Sequence, residues 1–202
     1  MTEEARAARL ASQLRFCLKI DREKEIVRET YLASGRRKET DAEHAWHMAV
    51  MALVLSEHAN EKVDLLRVIS LLLIHDLVEI YAGDTFAYDE AGLKTEASRE
   101  EAAAERLYGM LPPDQAEKLK ALWQEFEEWK TPEAKFARTL DRFQPVMLNA
   151  ATDGRAWKEH GVKLSQVLKR NARTAEGSRA LWNYQLENFI LPNAEKGRLA
   201  KD

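Results

Sequence analysis

The sequence is poor in residues that interrupt helices. Only 8 glycines and 5 prolines occur among 202 residues, so most of the chain has nothing to stop a helix once one has started. A single cysteine, Cys17, excludes an internal disulfide, and its neighbours Phe16 and Leu18 predict that it is packed. No apolar run approaches the roughly 20 residues of a membrane helix, and no basic start followed by an apolar stretch marks a leader, so a soluble cytoplasmic protein is expected. An excess of charge of one sign is also missing. Lys and Arg number 31 against 34 Asp and Glu, a formal charge of -3, which lacks the broad basic field that a nucleic-acid polymer or an anionic membrane requires. Strand alternation is absent too. A single all-α domain spanning residues 1–202 is therefore expected.

What the chain has instead is Ala, Leu, Glu, Lys and Arg arranged in helical stretches. The first is expected from Glu3 to about Leu32, with a break near Asp21, ending in the basic loop Ser34-Gly35-Arg36-Arg37-Lys38. Thr40 and Glu43 have the spacing of a capping box that opens a helix through His58. Val63 to Tyr81 reads as a central apolar helix stopped at Ala82-Gly83-Asp84, and Thr85 to Thr95 reads as a mobile segment that could act as a lid. A charged helix from Glu96 to Leu111 is closed by Pro112-Pro113, and Asp114 to Trp129 forms a mostly solvated one. Thr131 and Pro132 mark the start of the next, which carries Asp141 and is expected to kink at Pro145. Lys163 to Arg173 and Arg179 to Leu191 complete the pattern, with the last ten residues frayed. Trp46, Trp123, Trp129 and Trp182 stand at helical positions suited to a core or a dimer interface.

Inside the central apolar run stand His75 and Asp76, two strongly polar groups whose burial costs several kcal/mol unless they are paired or bind a metal. The helical period adds Glu79, one turn on. His44 and Asp141 lie on other expected helices, as metal ligands in helical bundles commonly do. Two imidazoles and two carboxylates form a mixed N/O set that suits Mn, Co, Mg, Fe, Ni or Zn, with room left for water, whose pKa a bound ion lowers toward ~7. His47, one turn after His44, is either a partner behind the ligands or a packed residue, while His58 and His160 sit in polar surroundings outside the set. Arg36 and Arg37 either contact a phosphate or form a solvated loop.

The order His44, His75-Asp76, Asp141 resembles the HD superfamily of metal-dependent phosphohydrolases. With Glu79 and Gly83-Asp84, and over roughly residues 14–149, it resembles most the 5'-deoxynucleotidase group of small HD proteins. The resemblance implies an HD-domain helical bundle, with further helices over about 160–191, that acts as a homodimer on a small phosphorylated substrate, a nucleotide. It implies one divalent ion on His44, His75, Asp76 and Asp141, with Glu79 in acid/base chemistry or orienting the attacking water. Asp84 would assist at the leaving oxygen or the sugar, and Arg28 would contact the nucleotide. Where that group carries a tryptophan after the arginine, this chain has Glu29, so preference for deoxyribose is not implied. No histidine lies between His75 and His160, and no GYP-type extension follows the HD pair, which points away from the two-metal and cyclic-dinucleotide branches. The activity expected is hydrolysis of a nucleoside 5'-monophosphate by a metal-bound water. The alternatives are a hydrolase of another phosphorylated metabolite or a nucleoside triphosphate, and a non-catalytic module stapled by its metal.

Overall fold

The first helix stops well before its expected end. In the computed structural model, which describes residues 1–202, α1 (Glu3–Ile20) starts where the Thr2 hydroxyl accepts from the Ala5 amide at 3.2 Å and passes into a 3-10 turn, Asp21–Glu25. A strand then follows, β1 (Val27–Tyr31), paired antiparallel with β2 (Lys38–Thr40). The expectation of helix through Leu32 and of no strand is therefore corrected. The β-branched and aromatic residues of Val27-Arg28-Glu29-Thr30-Tyr31 suit a strand, but their partner is three residues long, too short to show a local period. Gly35 supplies the positive φ of 67° at the reversal. Cys17 is exposed, against expectation: α1 buries Phe16 as its one fully covered residue.

The capping box closes as read. Glu43 donates its amide to the Thr40 hydroxyl at 3.4 Å, and its carboxylate accepts from the Thr40 amide at 3.0 Å, opening α2 (Asp41–Leu55). The central apolar helix is divided. It runs as α3 (Leu65–Ile74), tightens into a 3-10 turn over His75–Val78, and resumes as the short α4 (Glu79–Ala82) before Gly83 ends it at φ 76°. A tightened stretch at this point shifts every later side chain off the α-helical face.

Helix α5 (Leu93–Tyr108) begins earlier than expected and ends at Gly109, and Pro112-Pro113 instead opens α6 (Pro113–Glu128). The latter is less solvated than its charge suggests, because Leu122, Trp123 and Phe126 are buried. Thr131 and Pro132 start α7 (Pro132–Ala151) as expected, the Thr131 hydroxyl accepting from the Ala134 amide at 3.1 Å. That helix stays continuous through Pro145. The short α8 (Arg155–Glu159) and α9 (Leu164–Arg170) follow, and α10 (Arg179–Gln185) runs through a π-helical turn into α11 (Leu191–Glu195). The chain end is not frayed throughout, since Leu199 is 7% exposed and the Ala200 amide donates to the Val162 carbonyl at 2.8 Å.

The main core joins α2, α3, α6 and α7 through residues such as Met48, Leu71, Leu72, Phe126, Phe136 and Leu140. A second cluster packs Leu77 and Val78 against Leu107, Tyr108 and Trp123, and a third packs Val146 against Trp157, Val167, Ile190 and Leu199. Trp123 and Trp129 are buried as expected, whereas Trp46 is 64% exposed. No helix is long and apolar enough to cross a membrane. Leu72→Ala, at a fully buried position of the main core, is expected to lower stability by about 2–5 kcal/mol in urea unfolding, against about 1 kcal/mol for Thr40→Ala, which removes only the cap.

Candidate metal centre and cavity

The tightened turn places His75 and Asp76 at the C-terminal end of α3, facing His44 from the first turns of α2 and Asp141 from α7. The ligand atoms of His44, His75 and Asp141 all lie within 4.8 Å of one another. Asp141 Oδ1 is 3.4 Å from His44 Nε2 and 3.9 Å from His75 Nε2. Asp76 stands at the edge of this ring, with Oδ1 3.0 Å from His75 Nε2 and Oδ2 2.8 Å from Arg28 Nη1.

The hydrogen bonds behind the ring decide which imidazole nitrogens face it. His75 donates from Nδ1 to the Leu72 carbonyl at 2.8 Å, so Nε2 presents a lone pair to Asp76 and Asp141. That nitrogen is buried and has no hydrogen-bond partner. Gln144 donates its amide hydrogens to Glu39 Oε2 at 2.8 Å and to His47 Nδ1 at 3.2 Å. Its Oε1 therefore accepts from His44 Nδ1 at 3.0 Å, which leaves His44 Nε2 as a second inward lone pair. Lone pairs and carboxylate oxygens at this spacing can share either protons or a metal ion. These residues fit a divalent ion, and their tautomers are fixed from behind as ligating histidines usually require.

The electrostatics agree. Burial and Arg28 both work to lower the His44 pKa, yet Asp141 and Glu39 outweigh them and push it up to about 9. Burial opposes His75 in the same way and Asp76 raises it. Asp76 and Asp141 are held well below the usual carboxylate range despite burial, Asp76 mainly by His75 and Arg28, and Asp141 by its bond to His44 and the charge of His75. A field that draws protons onto two buried imidazoles also attracts a cation, whose binding releases them.

Glu79 lines the same cavity as His75 and Asp76. It joins Asp41 and Asp84 in a second group whose carboxylate oxygens lie within 4.8 Å of each other. Burial and the charges of Asp76 and Asp41 push Glu79 well above its ordinary value, and burial raises Asp84 as well. Arg28 sits among these acids, its Nη1 3.0 Å from Asp41 Oδ1 and 4.0 Å from Asp84 Oδ1. Behind them Glu23 is pushed up to about 7 by burial and by Asp76.

A cavity of about 330 Å³ opens onto both groups. Arg28, Glu79, Asp84 and the HD pair line its inner end, and Trp129, Arg138, Arg142 and Arg170 line other walls. Phe86 and Tyr88, from the segment read as a mobile lid, form part of its wall, with the Phe86 ring centroid 4.4 Å from that of His160 and the two rings tilted by 41°. Glu29 also lines it, bonded to Lys38 and to His160 Nε2 at 2.7 Å. Arg36 and Arg37 do not. They stand exposed on the hairpin turn, and Arg37 bonds Glu43 at 2.7 Å. His58 is exposed, while His47 is the partner behind the ligands.

Several site residues escaped the sequence reading. Gln144 stands one helical turn after Asp141, a spacing that could have found it. Glu39 is a buried acid within a short strand and Asp41 was absorbed into the helix cap, so neither carried a signal of its own.

The HD domain family model matches residues 20–182. The 5'-deoxynucleotidase HDDC2 of Bos taurus is 33% identical over 148 residues, 72% of this chain and 69% of that protein. The 5'-deoxynucleotidase hdd1 of Schizosaccharomyces pombe is 28% identical over 145 residues, 69% of this chain and 72% of that one. Among solved structures, a protein described as a predicted metal-dependent phosphohydrolase from Magnetospirillum magnetotacticum MS-1 superposes with a TM-score of 0.90. It is 48% identical and covers 95% of this chain and 96% of its own. A family match over most of the chain, joined to so close a likeness of fold, means that the protein belongs to the HD domain family.

Proposed function

We propose that the protein hydrolyses nucleoside 5'-monophosphates, with one divalent cation held by His44, His75, Asp76 and Asp141. The observation that carries this reading is the unpartnered lone pair of His75 Nε2, buried beside His44 Nε2 and Asp141 Oδ1 at the inner end of the cavity. Relatives named 5'-deoxynucleotidase support the substrate class. A divalent ion in such a set supplies Lewis acidity to a phosphoryl oxygen and acidifies water. The chain's own residues do the rest. Glu79, whose pKa is raised by burial and by the charges of Asp76 and Asp41, would hand a proton to the departing alkoxide oxygen, and Asp84 would orient that oxygen or the sugar beside it. A metal that only stapled the bundle would need neither acid in the cavity. Arg28 holds Asp76 in place and borders the substrate.

The same reading gives a cytoplasmic homodimer, supported by the exposed stripe Trp46, Val50, Leu53 and Val54 along α2, whose i, i+4, i+7, i+8 spacing makes one continuous apolar face. Light scattering is expected to report a dimer that Val54→Asp converts to monomer; an unchanged mass would move the interface elsewhere.

Metal-stripped protein should release phosphate from nucleoside monophosphates, and not from a triphosphate, only when Mn, Co, Mg or Zn is resupplied. Asp76→Ala should lose both metal and turnover, and Gln144→Leu should bind metal about 10–100-fold more weakly because His44 loses its tautomer lock. Glu79→Gln should retain the metal while kcat drops by about 10²–10⁴; wild-type turnover in that variant would remove Glu79 from the chemistry.

Glu29 governs the sugar. Both of its contacts fall on Oε2, which leaves Oε1 to accept from a ribose hydroxyl. Glu29→Trp should shift the ratio of kcat/KM values toward deoxyribonucleotides, and an unchanged ratio would take position 29 out of sugar selection.

A further inference from the structure

Arg142 carries a buried charge that the protein itself leaves without a bond. Its side chain is 9% exposed and lines the cavity. Its Nε is buried with no hydrogen-bond partner. The carboxylate it meets is Asp141, yet Nε stands 3.7 Å from Oδ2, too far to donate to it. A guanidinium that served only to brace Asp141 would bond it directly, in the bidentate geometry that a planar fork and a carboxylate adopt. Leaving a buried donor unmade is costly, which implies a partner that comes from outside the chain.

The other arginines of the cavity differ in how far their charge is already met, although the Arg28 Nε is likewise buried without a partner. Arg28 bonds Asp41 and Asp76 and has Glu39 and Asp84 within 4.0 Å, so its charge is already neutralised. Arg138 donates from Nε to the Phe126 carbonyl and from Nη2 to Glu127, and it stacks on the Phe126 ring at 4.2 Å. Arg170, from α9, has no buried nitrogen left without a partner. Arg142 thus combines an uncommitted charge, near-complete burial and a position next to a metal-ligand candidate. Asp141 turns Oδ1 toward the two imidazoles and Oδ2 toward Arg142, so the two faces of one carboxylate adjoin the ion site and the guanidinium.

We propose that Arg142 is the phosphate clamp of this site, its guanidinium donating to oxygens of the substrate's phosphoryl group and of the phosphate product. The inference rests on the phosphomonoester reading given above. The ligand chemistry is a tetrahedral dianion, whose oxygens match the guanidinium fork in a way that a lysine ammonium cannot reproduce. The indole of Trp129, 5.8 Å from the guanidinium, forms one side of its slot.

Titration calorimetry of inorganic phosphate into metal-loaded protein tests this, with a nucleoside lacking phosphate as the control ligand and metal affinity measured separately. Wild type should bind phosphate. Arg142→Gln should bind it roughly 10–100-fold more weakly, the range for losing hydrogen bonds from a charged group, while metal and nucleoside binding stay within about twofold. Arg142→Lys keeps the charge without the fork and should fall between them; it also decides the matter should the glutamine variant fail to fold. Equal phosphate affinity in the variants overturns the clamp. A parallel loss of metal affinity overturns it as well, since Arg142 would then act through Asp141. If wild type binds no phosphate and cleaves no phosphomonoester, the functional reading fails and the clamp fails with it, a pattern distinct from a variant that matches an active wild type.

Discussion

Negative charge gathered out of water is the constraint on which the rest of this structure depends. Glu39, Asp41, Asp76, Glu79, Asp84 and Asp141 converge on a small volume, and the cation that meets most of them is Arg28. Carboxylates cannot remain ionised in such a place without compensation. The molecule answers in two ways. Around His44 and His75 the acids stay ionised and lift the imidazole pKa values, the state a divalent ion would replace. Around Glu79, farther from the imidazoles, burial and neighbouring charge favour the protonated acid. One field thus lowers the pKa of some acids and raises that of others side by side, and acids driven apart in this way suit acid/base chemistry at neutral pH.

The scaffold exists to hold that charge in place. Leu71, Leu72, Phe126 and Phe136 wall the ligands from behind, and the His75 ring lies 4.6 Å from Phe126. The 3-10 turn directly after α3 leads from His75 and Asp76 into Glu79, and all three line the same cavity. The hairpin delivers Arg28 and Glu39 from opposite strands, one to the acids and one to the glutamine behind His44. The long α7 supplies Asp141, Arg142 and Gln144 within four consecutive residues: a carboxylate facing both imidazoles, a cavity cation and the amide that bonds His44 from behind. Because α7 also belongs to the main core and to the C-terminal cluster, a shift in its register would disturb all three roles together.

How much was legible in advance follows from the range of the interactions. The Thr40–Glu43 cap, the Thr131-Pro132 start and the Gly83 stop are each written within a few residues, and each appears where it was read. His75-Asp76 stood out because its apolar neighbours made burial certain and burial made partners necessary. The hairpin was invisible because a strand of three residues has no period of its own. Cys17 was misplaced for a related reason: apolar neighbours suggested packing, but α1 lies on the surface with little beyond Phe16 covered. Arg36 and Arg37 suit either a phosphate contact or a solvated loop by charge and position in sequence, and the exposed turn at Gly35 leaves them outside the cavity lining.

The sequence by itself determined the helical class, the principal caps and the polar pair, His75-Asp76, whose burial calls for partners, because those depend on local propensity and on the cost of burying particular side chains. Tertiary structure alone decided which acids face His44 and which face Glu79, that Glu39 and Gln144 fix a histidine tautomer from behind, and that Arg142 rather than Arg36 or Arg37 turns into the cavity. These outcomes depend on distances between segments up to a hundred residues apart, and electrostatic and hydrogen-bond energies at a few ångströms are set by packing that no local pattern encodes.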